Sequence, residues 1–404
     1  MMAAAVAAGH RNRVTLLEKG PRLGRKLLLT GNGRCNLTNN VPPHRFIDDC
    51  GPGAKFLHNA LGRFSNADAV EYFSARGVPL QLEQGGRYFP RSGGAAAVLQ
   101  ALESELATHG VTLVTGTPVT RIRREGGGYA IAAGADEYHA KRLIIATGGK
   151  SFPQTGSSGD GYDLARTLGH AIIEPRPGNV PLLAAERWLP QLQGVSIAHA
   201  VIGFTPGGER HIFPGGLMFT QYGISGPAAF DASRALADAS ETAAVAAGID
   251  LMPGLPADRL DHQLVSAAAR HGRKSLRGLV AQLLPERLAV VVVRLAGGDP
   301  EQPASQLSAG RRQAIVAAIK CCPVTITGTR GFDEAMVTIG GVAPRDLDPA
   351  TMESRLAPGL YFCGEVLDLD GPCGGYNLQI AWTTGFTAGF AAGSATRHAS
   401  GNST

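Results

Sequence analysis

The chain has 404 residues, of which 44% are hydrophobic and 18% charged, with a formal net charge of +5. These values fit a globular protein of about two or three domains and exclude a largely disordered chain. Lys and Arg are scattered, with short dense groups only at Arg121–Arg124 and Arg270–Arg277, so the composition favours a small-molecule partner over nucleic acid.

The six cysteines form no CxxC pair and have no histidines at zinc-ligand spacing, so no metal site is expected: Cys35, Cys50, Cys321, Cys322, Cys363 and Cys373. The start lacks the basic region of a signal peptide, and no apolar run reaches the roughly 18 residues of a membrane span. Free thiols then indicate the cytoplasm. The sequence does not indicate an oligomeric state.

The first part of the chain alternates predicted helices and strands, as in an α/β sheet with an antiparallel excursion. An Ala-rich helix is followed by a buried strand, a Gly/Asn-rich loop, two helices and four strands: Met1–Gly9, Arg13–Glu18, Leu29–Asn40, 53–77, Ala95–His109, Val111–Val114, Val119–Ile122, Tyr129–Ala132 and Leu143–Ile145.

The pattern changes after Pro181. Short apolar pieces at 182–235 indicate a β-rich insert, in which Ser225-Gly226-Pro227 is typical of a helix start. Helices are predicted at 256–295 and 305–320. Strands are predicted at Val324–Ile326, Met336–Ile339 and Leu360–Phe362, and a final helix within Gly374–Gly393.

Four glycine-rich or acidic positions suggest a dinucleotide site. Glu18 ends a strand that follows a helix, which fits the acidic residue that binds ribose in a Rossmann unit, although an ordinary surface carboxylate also fits. Gly31 and Gly33 allow close backbone approach, and Arg25, Lys26 and Arg34 suit a pyrophosphate. A capped loop with solvated cations explains that segment equally well.

Two further strands end in glycine. Ile144-Ile145-Ala146 runs into Thr147-Gly148-Gly149, and Leu360–Phe362 runs into Cys363-Gly364-Glu365. A glycine at such a place lets a ribityl or pyrophosphate group pack on the backbone, and a carboxylate accepts from a hydroxyl. Each motif alone is weak, but their order along the chain is specific.

Four sequence segments, in this order along the chain, resemble those of a known family. Gly24–Asn39, Ala146–Gly161, Thr220–Pro227 and Gly359–Gly385 resemble the bacterial YhiN/BaiN-like NAD(P)/FAD-dependent oxidoreductases, also described as aminoacetone-oxidase-like flavoproteins. The resemblance covers nearly the whole chain. It implies an FAD-binding Rossmann-type α/β domain in two parts, 1–180 and 336–395, around an insert at 181–335. The insert is β-barrel-like at 181–235 and about 321–335 and helical at about 240–320, and a disordered tail follows at 396–404.

The resemblance also implies the cofactors and their contacts. FAD is bound, and NAD(P)H acts as a transient co-substrate. Glu18 and Lys19 meet the adenosine ribose, Gly24–Asn36 lines the pyrophosphate and flavin, and Val119 meets adenine through its backbone. The full cofactor-binding set is Glu18, Lys19, Gly24, Arg25, Lys26, Gly31, Gly33, Arg34, Cys35, Asn36, Val119, Thr147, Gly148, Gly149, Gly364, Glu365, Asn377, Leu378 and Gln379.

The catalytic acid or base is not assigned. Four residues near the expected flavin are weak candidates: Cys35, Asn36, Asp160 and Tyr376. Cys35 fits a redox thiol less well than a packed structural thiol, because no partner cysteine is near it in sequence.

The chain departs from the family pattern at its start, where a first strand and a Gly-x-Gly-x-x-Gly loop are expected before Met1. Either the start lies downstream of the true one, or the truncation is real. For this chain we expect poor folding or weak FAD retention. The expected function is a flavin-dependent oxidoreductase that passes hydride between NAD(P)H or a small organic substrate and an acceptor. The alternatives are an inactive flavin-binding relic and a tRNA-modifying-type flavoprotein.

Overall fold

The computed structural model describes residues 1–205, 208–237 and 244–394. They divide into two compact units, one formed by Met1–Pro177 with the residues from Ala335 onward, the other by Gly178–Glu334. The predicted tail at 396–404 lies outside the described residues. Within these ranges, no helix combines the length and apolar character that crossing a bilayer requires.

The first unit combines helices with short strands, and most of its elements precede the second unit in the chain. These helices are α1 (Met2–Gly9), α2 (Pro43–Cys50), α3 (His58–Arg63), α4 (Asn66–Ser74), α5 (Gly94–Thr108) and α6 (Asp160–Thr167). The strands are β1 (Thr15–Leu17), β2 (Thr38–Asn39), β3 (Leu80–Glu83), β4 (Arg87–Pro90), β5 (Thr112–Val114), β6 (Val119–Glu125), β7 (Gly128–Ala133), β8 (Asp136–Ala140), β9 (Leu143–Ile145) and β10 (Ile172–Gly178).

The second unit then supplies β11 (Leu182–Ala184), β12 (Ser196–Phe204), β13 (His211–Phe219), β14 (Gly223–Ser225), α7 (Pro227–Ala237), β15 (Val245–Asp250), α8 (Ala257–Arg270), α9 (Leu276–Val280), α10 (Glu286–Leu295), α11 (Ala309–Lys320), β16 (Cys322–Thr329) and α12 (Gly331–Glu334). The chain returns to the first unit through β17 (Val337–Val342), β18 (Leu360–Phe362) and α13 (Tyr376–Ser394).

Two parallel strand pairs carry the predicted site segments. β1 lies beside β5, with Leu16 opposite Leu113, and β9 lies beside β18, with Ile144 opposite Tyr361. Parallel neighbours need long crossover connections. The connection from β1 to β5 contains α2 to α5, and the connection from β9 to β18 contains the whole second unit. β1, β9 and β18 each run directly into a glycine-containing segment at their carboxyl ends, where α/β sheets bind ligands.

Close packing of α1 on α13 depends on small side chains. A Cβ built on Gly389 would lie 2.5 Å from the carbonyl oxygen of Ala3, so the two helix backbones touch where a larger residue would separate them. Trp382, on the same helix, donates its Nε1 hydrogen to the carbonyl of Leu37 at 3.0 Å. α13 therefore packs against both α1 and the predicted glycine loop segment.

The antiparallel parts of the first unit are small sheets ordered β6-β7-β8 and β2-β4-β3, with β10 paired to β17. The sequence predicts β6, β7 and β9 but misses β2, β3, β4, β8 and β10. These strands are short or polar, so neither alternation nor an apolar run marks them. The helical segment predicted at 53–77 is interrupted at Phe64 and Ser65, where Ser65 caps α4 and forms a capping box with Asp68.

The second unit is built on a closed antiparallel barrel with strand order β11-β14-β13-β12-β15-β16. The prediction that 240–320 is helical is wrong for β15, which pairs with β12 and β16. Its sequence Val-Ala-Ala-Gly-Ile-Asp is rich in alanine, a weak strand former. Barrel closure imposes the strand there, because residue preference is weaker than tertiary pairing. Helices α8 to α11 complete one apolar core with the barrel, which includes Leu264, Leu288, Val292 and Ile315.

Candidate functional site

Lys26 joins three of the predicted segments. Its ammonium donates to Ser151 Oγ at 2.6 Å and to Glu365 Oε2 at 2.5 Å, and Ser151 Oγ donates to Glu365 Oε1 at 2.6 Å. The Lys26 and Glu365 side chains are about a quarter exposed. The segments that follow β1, β9 and β18 therefore meet in one polar cluster, although they are far apart in the sequence.

Thr338 of β17 completes this cluster. Its Oγ1 accepts hydrogen bonds from the backbone N–H groups of Lys150 and Ser151, at 2.8 and 3.1 Å, and its own N–H donates to Glu365 Oε1 at 2.8 Å. A Cβ on Gly149 would overlap Thr338 Oγ1. Only glycine fits at 149, because the threonine side chain occupies that position.

A second cluster links Lys19 to the segment after β9. The Lys19 ammonium donates to Asp160 Oδ2 at 2.6 Å and also to Ser158 Oγ. Burial acts to raise the pKa of Asp160, but the hydrogen bonds from Lys19 and Ser158 outweigh it and lower that pKa. Asp160 is thus held as a carboxylate, which does not suit a proton donor. Arg25 donates to the carbonyl of Gln154 at 2.7 Å.

The loop at 31–36 is a tight turn with several left-handed residues. Gly31 and Gly33 have φ values of 56° and 82°, and Cys35 has a φ of 59°. The Cys35 thiol is fully buried, and burial raises its pKa to about 11. A thiol with such a pKa stays protonated, which opposes a redox role. Arg34 forms an ion pair with Glu83 and lies 4.2 Å from the centroid of the Phe89 ring.

The start of α13 is locked to the segment at 38–39. Gly375 has a φ of 96°, and a Cβ there would lie 2.5 Å from the carbonyl carbon and oxygen of Thr38. Thr38 Oγ1 donates to Gln379 Oε1 at 2.7 Å. Asn377 accepts from Gly371 N at 2.9 Å and donates to the Gly371 carbonyl at 2.8 Å. Leu378 is partly buried against the core that contains Cys35 and Trp382.

Tyr376 connects α13 to α2. Its hydroxyl donates to Asp49 Oδ2 at 2.7 Å, and its ring stacks on Phe46 with a centroid distance of 4.8 Å. Burial, and then the hydrogen bond to Asp49, raise the pKa of Tyr376 well above its usual range. Because its hydroxyl hydrogen is bound to a carboxylate, Tyr376 is better suited to joining the two helices than to donating a proton.

Val119 and Asp160 line one surface cavity. This cavity has a volume of about 220 Å³ and is bordered by Thr120, Arg121, Asp163, Leu164 and Thr167.

The remaining predicted residues lie at segment ends: Glu18 Oε1 accepts from Gly20 N at 2.6 Å, and Gly364 N donates to Thr384 Oγ1 at 2.9 Å. Gly24 has a φ of 70° and packs against Leu99. A Cβ on Gly161 would overlap Thr147 Oγ1.

The sequence interpretation missed several polar partners of these residues. Ser151 and Ser158 lie inside a segment that carries the resemblance, so their position in that segment was an available signal. Thr338 and Thr384 lie in a strand and a helix whose patterns look apolar. No sequence signal distinguishes them from core residues, because their role depends on contact with distant segments.

Two observations indicate that these residues fit FAD. The buried Asn36 Oδ1 has no hydrogen-bond partner within the described part of the chain, so it is able to accept from a ligand. Gly148 and Gly364 both have a φ of 77°, and a Cβ on Gly364 would contact no atom within 4 Å, so that backbone is accessible. The cations Lys19, Arg25 and Lys26 suit a pyrophosphate.

Comparison with known proteins identifies the family. The HI0933-like protein Rossmann domain family matches residues 1–391. The chain belongs to this family. Membership in the HI0933-like family confirms the predicted resemblance and the α/β fold with its Rossmann-type domain. It makes the protein a flavin-dependent oxidoreductase with FAD as its cofactor, as predicted.

Curated relatives share nearly the full length of this HI0933-like protein. The chain is 34% identical over 389 residues to a Clostridium scindens protein named 3-dehydro-bile acid delta(4,6)-reductase, covering 95% of this chain and 94% of that protein. It is 31% identical over 385 residues to an Escherichia coli protein named ribosomal RNA dihydrouridine synthase, covering 95% and 93%. A structure of a point mutant of the E. coli quinol fumarate reductase FrdA resembles the fold, with a TM-score of 0.50 and 15% identity, covering 100% of this chain and 69% of that one.

Proposed function

We propose that this protein reduces a ring carbon–carbon double bond conjugated to a carbonyl group, with NAD(P)H as the source of electrons. The names of the relatives support this shared chemistry. A delta(4,6)-reductase acting on a 3-dehydro bile acid reduces double bonds of a ring ketone. Dihydrouridine differs from uridine by two hydrogens across a ring double bond next to a carbonyl. The first candidate substrate is a small cyclic enone, and the second is uracil within RNA.

The cluster of Lys26, Ser151, Thr338 and Glu365 carries the proposal structurally. It fixes the segments after three strands at their carboxyl ends, where a dinucleotide binds in this type of fold. When bound, FAD supplies a carrier that accepts and returns a hydride. Lys26 and Arg25 would neutralise its pyrophosphate, and the backbone at Gly148, Gly149 and Gly364 would lie against it.

The start of α13 would lie beneath the flavin ring. The first turn of a helix presents unpaired backbone N–H groups and a partial positive charge, which stabilise negative charge nearby. Asn377 and Gln379 are held by Gly371 and Thr38, so this helix start has a fixed position. The predicted contacts of Glu18 with ribose and of Val119 with adenine stay predictions, as does the cytoplasmic location.

An anaerobic titration tests the proposed function. We expect NADH or NADPH to bleach the visible absorbance of the FAD-loaded protein, and 2-cyclohexenone or uridine-containing ribosomal RNA to restore it. The product should gain two hydrogens by mass spectrometry. Cyclohexanone, which lacks the double bond, serves as the control and should restore nothing. A flavin that neither nicotinamide reduces, or that neither unsaturated substrate reoxidises, contradicts the proposal and favours the relic.

A further inference from the structure

An exposed basic segment begins at the last residue of α8 in the second unit and continues into the turn after it. It consists of Arg270, His271, Gly272, Arg273 and Lys274 and is called here the 270–274 loop. Its four basic side chains are all exposed, whereas Gly272 is half-buried. The sequence identifies this stretch as one of its two dense basic groups and favours a solvated surface over one that binds polyanions.

The structure distinguishes the two dense groups by their acidic neighbours. The strands β6, β7 and β8 carry Arg121, Arg123 and Arg124 but also three carboxylates, and Arg123 pairs with Glu137 at 2.9 Å. By contrast, residues 262–285 contain no Asp or Glu. Across residues 244–394, only Arg277 of the second group forms ion pairs, with Glu286 and Glu301 at 3.4 and 2.9 Å. Within these residues, the basic side chains of the 270–274 loop therefore form no ion pair.

Backbone hydrogen bonds hold the loop against the segment at 304–305. Lys274 N donates to the carbonyl of His271 at 2.8 Å. Ser305 N donates to the carbonyl of Gly272 at 3.0 Å, and Ala304 N donates to that of Lys274 at 2.8 Å. Gly272 fits closely against Ser305, since a Cβ on it would lie 3.2 Å from Ser305 Cβ. A fixed loop loses little conformational entropy when its side chains bind a partner.

The sequence on both sides of the loop restricts the type of partner. Positions 231–331 contain no Phe, Tyr or Trp. Proteins that bind single-stranded nucleic acid stack its bases on aromatic rings, and proteins that lie on membranes commonly insert aromatic side chains. Uncompensated guanidinium and ammonium groups without an aromatic platform match the phosphates of a double helix, which shape and charge recognise without contact to the bases.

We propose that the 270–274 loop binds the phosphate backbone of double-helical RNA and holds a folded RNA substrate on the second unit. The inference rests on the proposed function through its second substrate, uracil within RNA. Arg270, Arg273 and Lys274 each contact phosphates. Binding is independent of base sequence and weakens as salt rises, because counterions are released from the RNA.

Fluorescence anisotropy with the FAD-loaded protein and a labelled RNA hairpin tests this surface. The variant R270S/R273S/K274S removes the three permanent charges. The control R123S/R124S/R166S removes the same charge from exposed positions of the first unit. We expect the loop variant to bind the hairpin about ten-fold or more weakly and to lower the slope of log affinity against log salt by about three. The control should change affinity by less than about two-fold, because its arginines lie outside the proposed surface.

Reduction of 2-cyclohexenone by NADPH is measured in parallel. Loss of hairpin binding with unchanged enone reduction in the loop variant supports the proposal. Equal hairpin affinity of the loop variant and the wild type overturns it, as does an equal loss in the control. Tighter wild-type binding to single-stranded poly(U) or to phosphatidylglycerol vesicles also overturns it. Absence of both enone and uridine reduction overturns the proposed function, and the hairpin comparison then still decides the role of the loop.

Discussion

Lys26 and Glu365, which are 339 positions apart in the sequence, form an ion pair with Nζ 2.5 Å from Oε2. The pair joins the segment after β1 to the segment after β18, and Ser151 bridges it to the segment after β9. Their proximity is the feature that makes three separate glycine-rich segments into one site. Its disruption should therefore affect cofactor retention as well as stability.

Glu365→Gln should weaken FAD binding by about ten-fold and lower the free energy of unfolding by about 1 to 2 kcal/mol. The partly buried Lys26 would lose its charge partner while the shape of the site is kept. Flavin fluorescence titration and urea unfolding measure the two effects. Glu137→Gln breaks the more exposed pair with Arg123 and is the matched control, with an expected change under about 0.5 kcal/mol. Equal effects in both variants would contradict the role of the partly buried pair of Lys26 and Glu365.

Gly149→Ala should destabilise the first unit by about 1 to 3 kcal/mol, because the new methyl group would overlap Thr338 Oγ1. Thr338 is not free to move aside, since its hydroxyl accepts from two backbone N–H groups. Thermal unfolding measures the loss. Gly62→Ala is the control: a Cβ there contacts no atom within 4 Å, and Gly62 lies in α3. Alanine should be neutral or slightly stabilising there, and a similar loss at both positions would show that the Thr338 contact is unimportant.

His170 should make stability depend on pH. It is buried, its Nε2 lies 2.7 Å from Ser354 Oγ, and burial lowers its pKa below the ordinary value of 6.5. The unfolded chain takes up a proton near pH 6.5 while the folded protein does not. Stability is therefore complete above that pH and falls as the pH drops toward the lowered pKa, by at most about 1.4 kcal/mol per pH unit.

Urea unfolding at about pH 7.5 and about pH 5.5 measures this dependence. The free energy of unfolding of His170→Asn should fall less than that of the wild type between these two pH values, whatever its value at neutral pH. The exposed His139→Asn is the control and should retain the full decrease. If the wild type and His170→Asn lose equal stability between the two values, His170 is not the responsible group.

The cysteines should be alkylated at different rates according to their exposure. Cys321 is exposed, whereas Cys35 and Cys363 are buried with pKa values raised to about 11 and Cys322 with a pKa raised to about 12. Only a thiolate reacts, so brief treatment of the native protein with iodoacetamide should modify Cys321 well before these three. Peptide mass spectrometry gives the order, and the urea-unfolded protein is the control in which all should react. Rapid modification of native Cys35 would revive its redox role.

The sequence by itself determined the family and the segments of the site, because glycines at 31, 33, 148, 149 and 364 are chemical requirements written locally. Glycine is the residue that takes a left-handed φ or lets backbone approach a ligand at least cost, so it marks such positions in the sequence. The sequence also marked α5, whose apolar residues recur at three- and four-residue spacing, and α13, which follows a strand and a glycine turn.

Only the tertiary structure decided which polar groups meet. Thr338 lies in an apolar strand and Ser151 in a loop. Their contacts with Lys26 and Glu365 depend on the pairing of β9 with β18, two strands that the second unit separates in the sequence. The tertiary structure also makes the alanine-rich β15 a strand. Pairing with the open edge of the barrel stabilises this segment more than the helix preference of alanine disfavours a strand. Long-range contacts of this kind leave no local periodicity, so a linear pattern does not contain them.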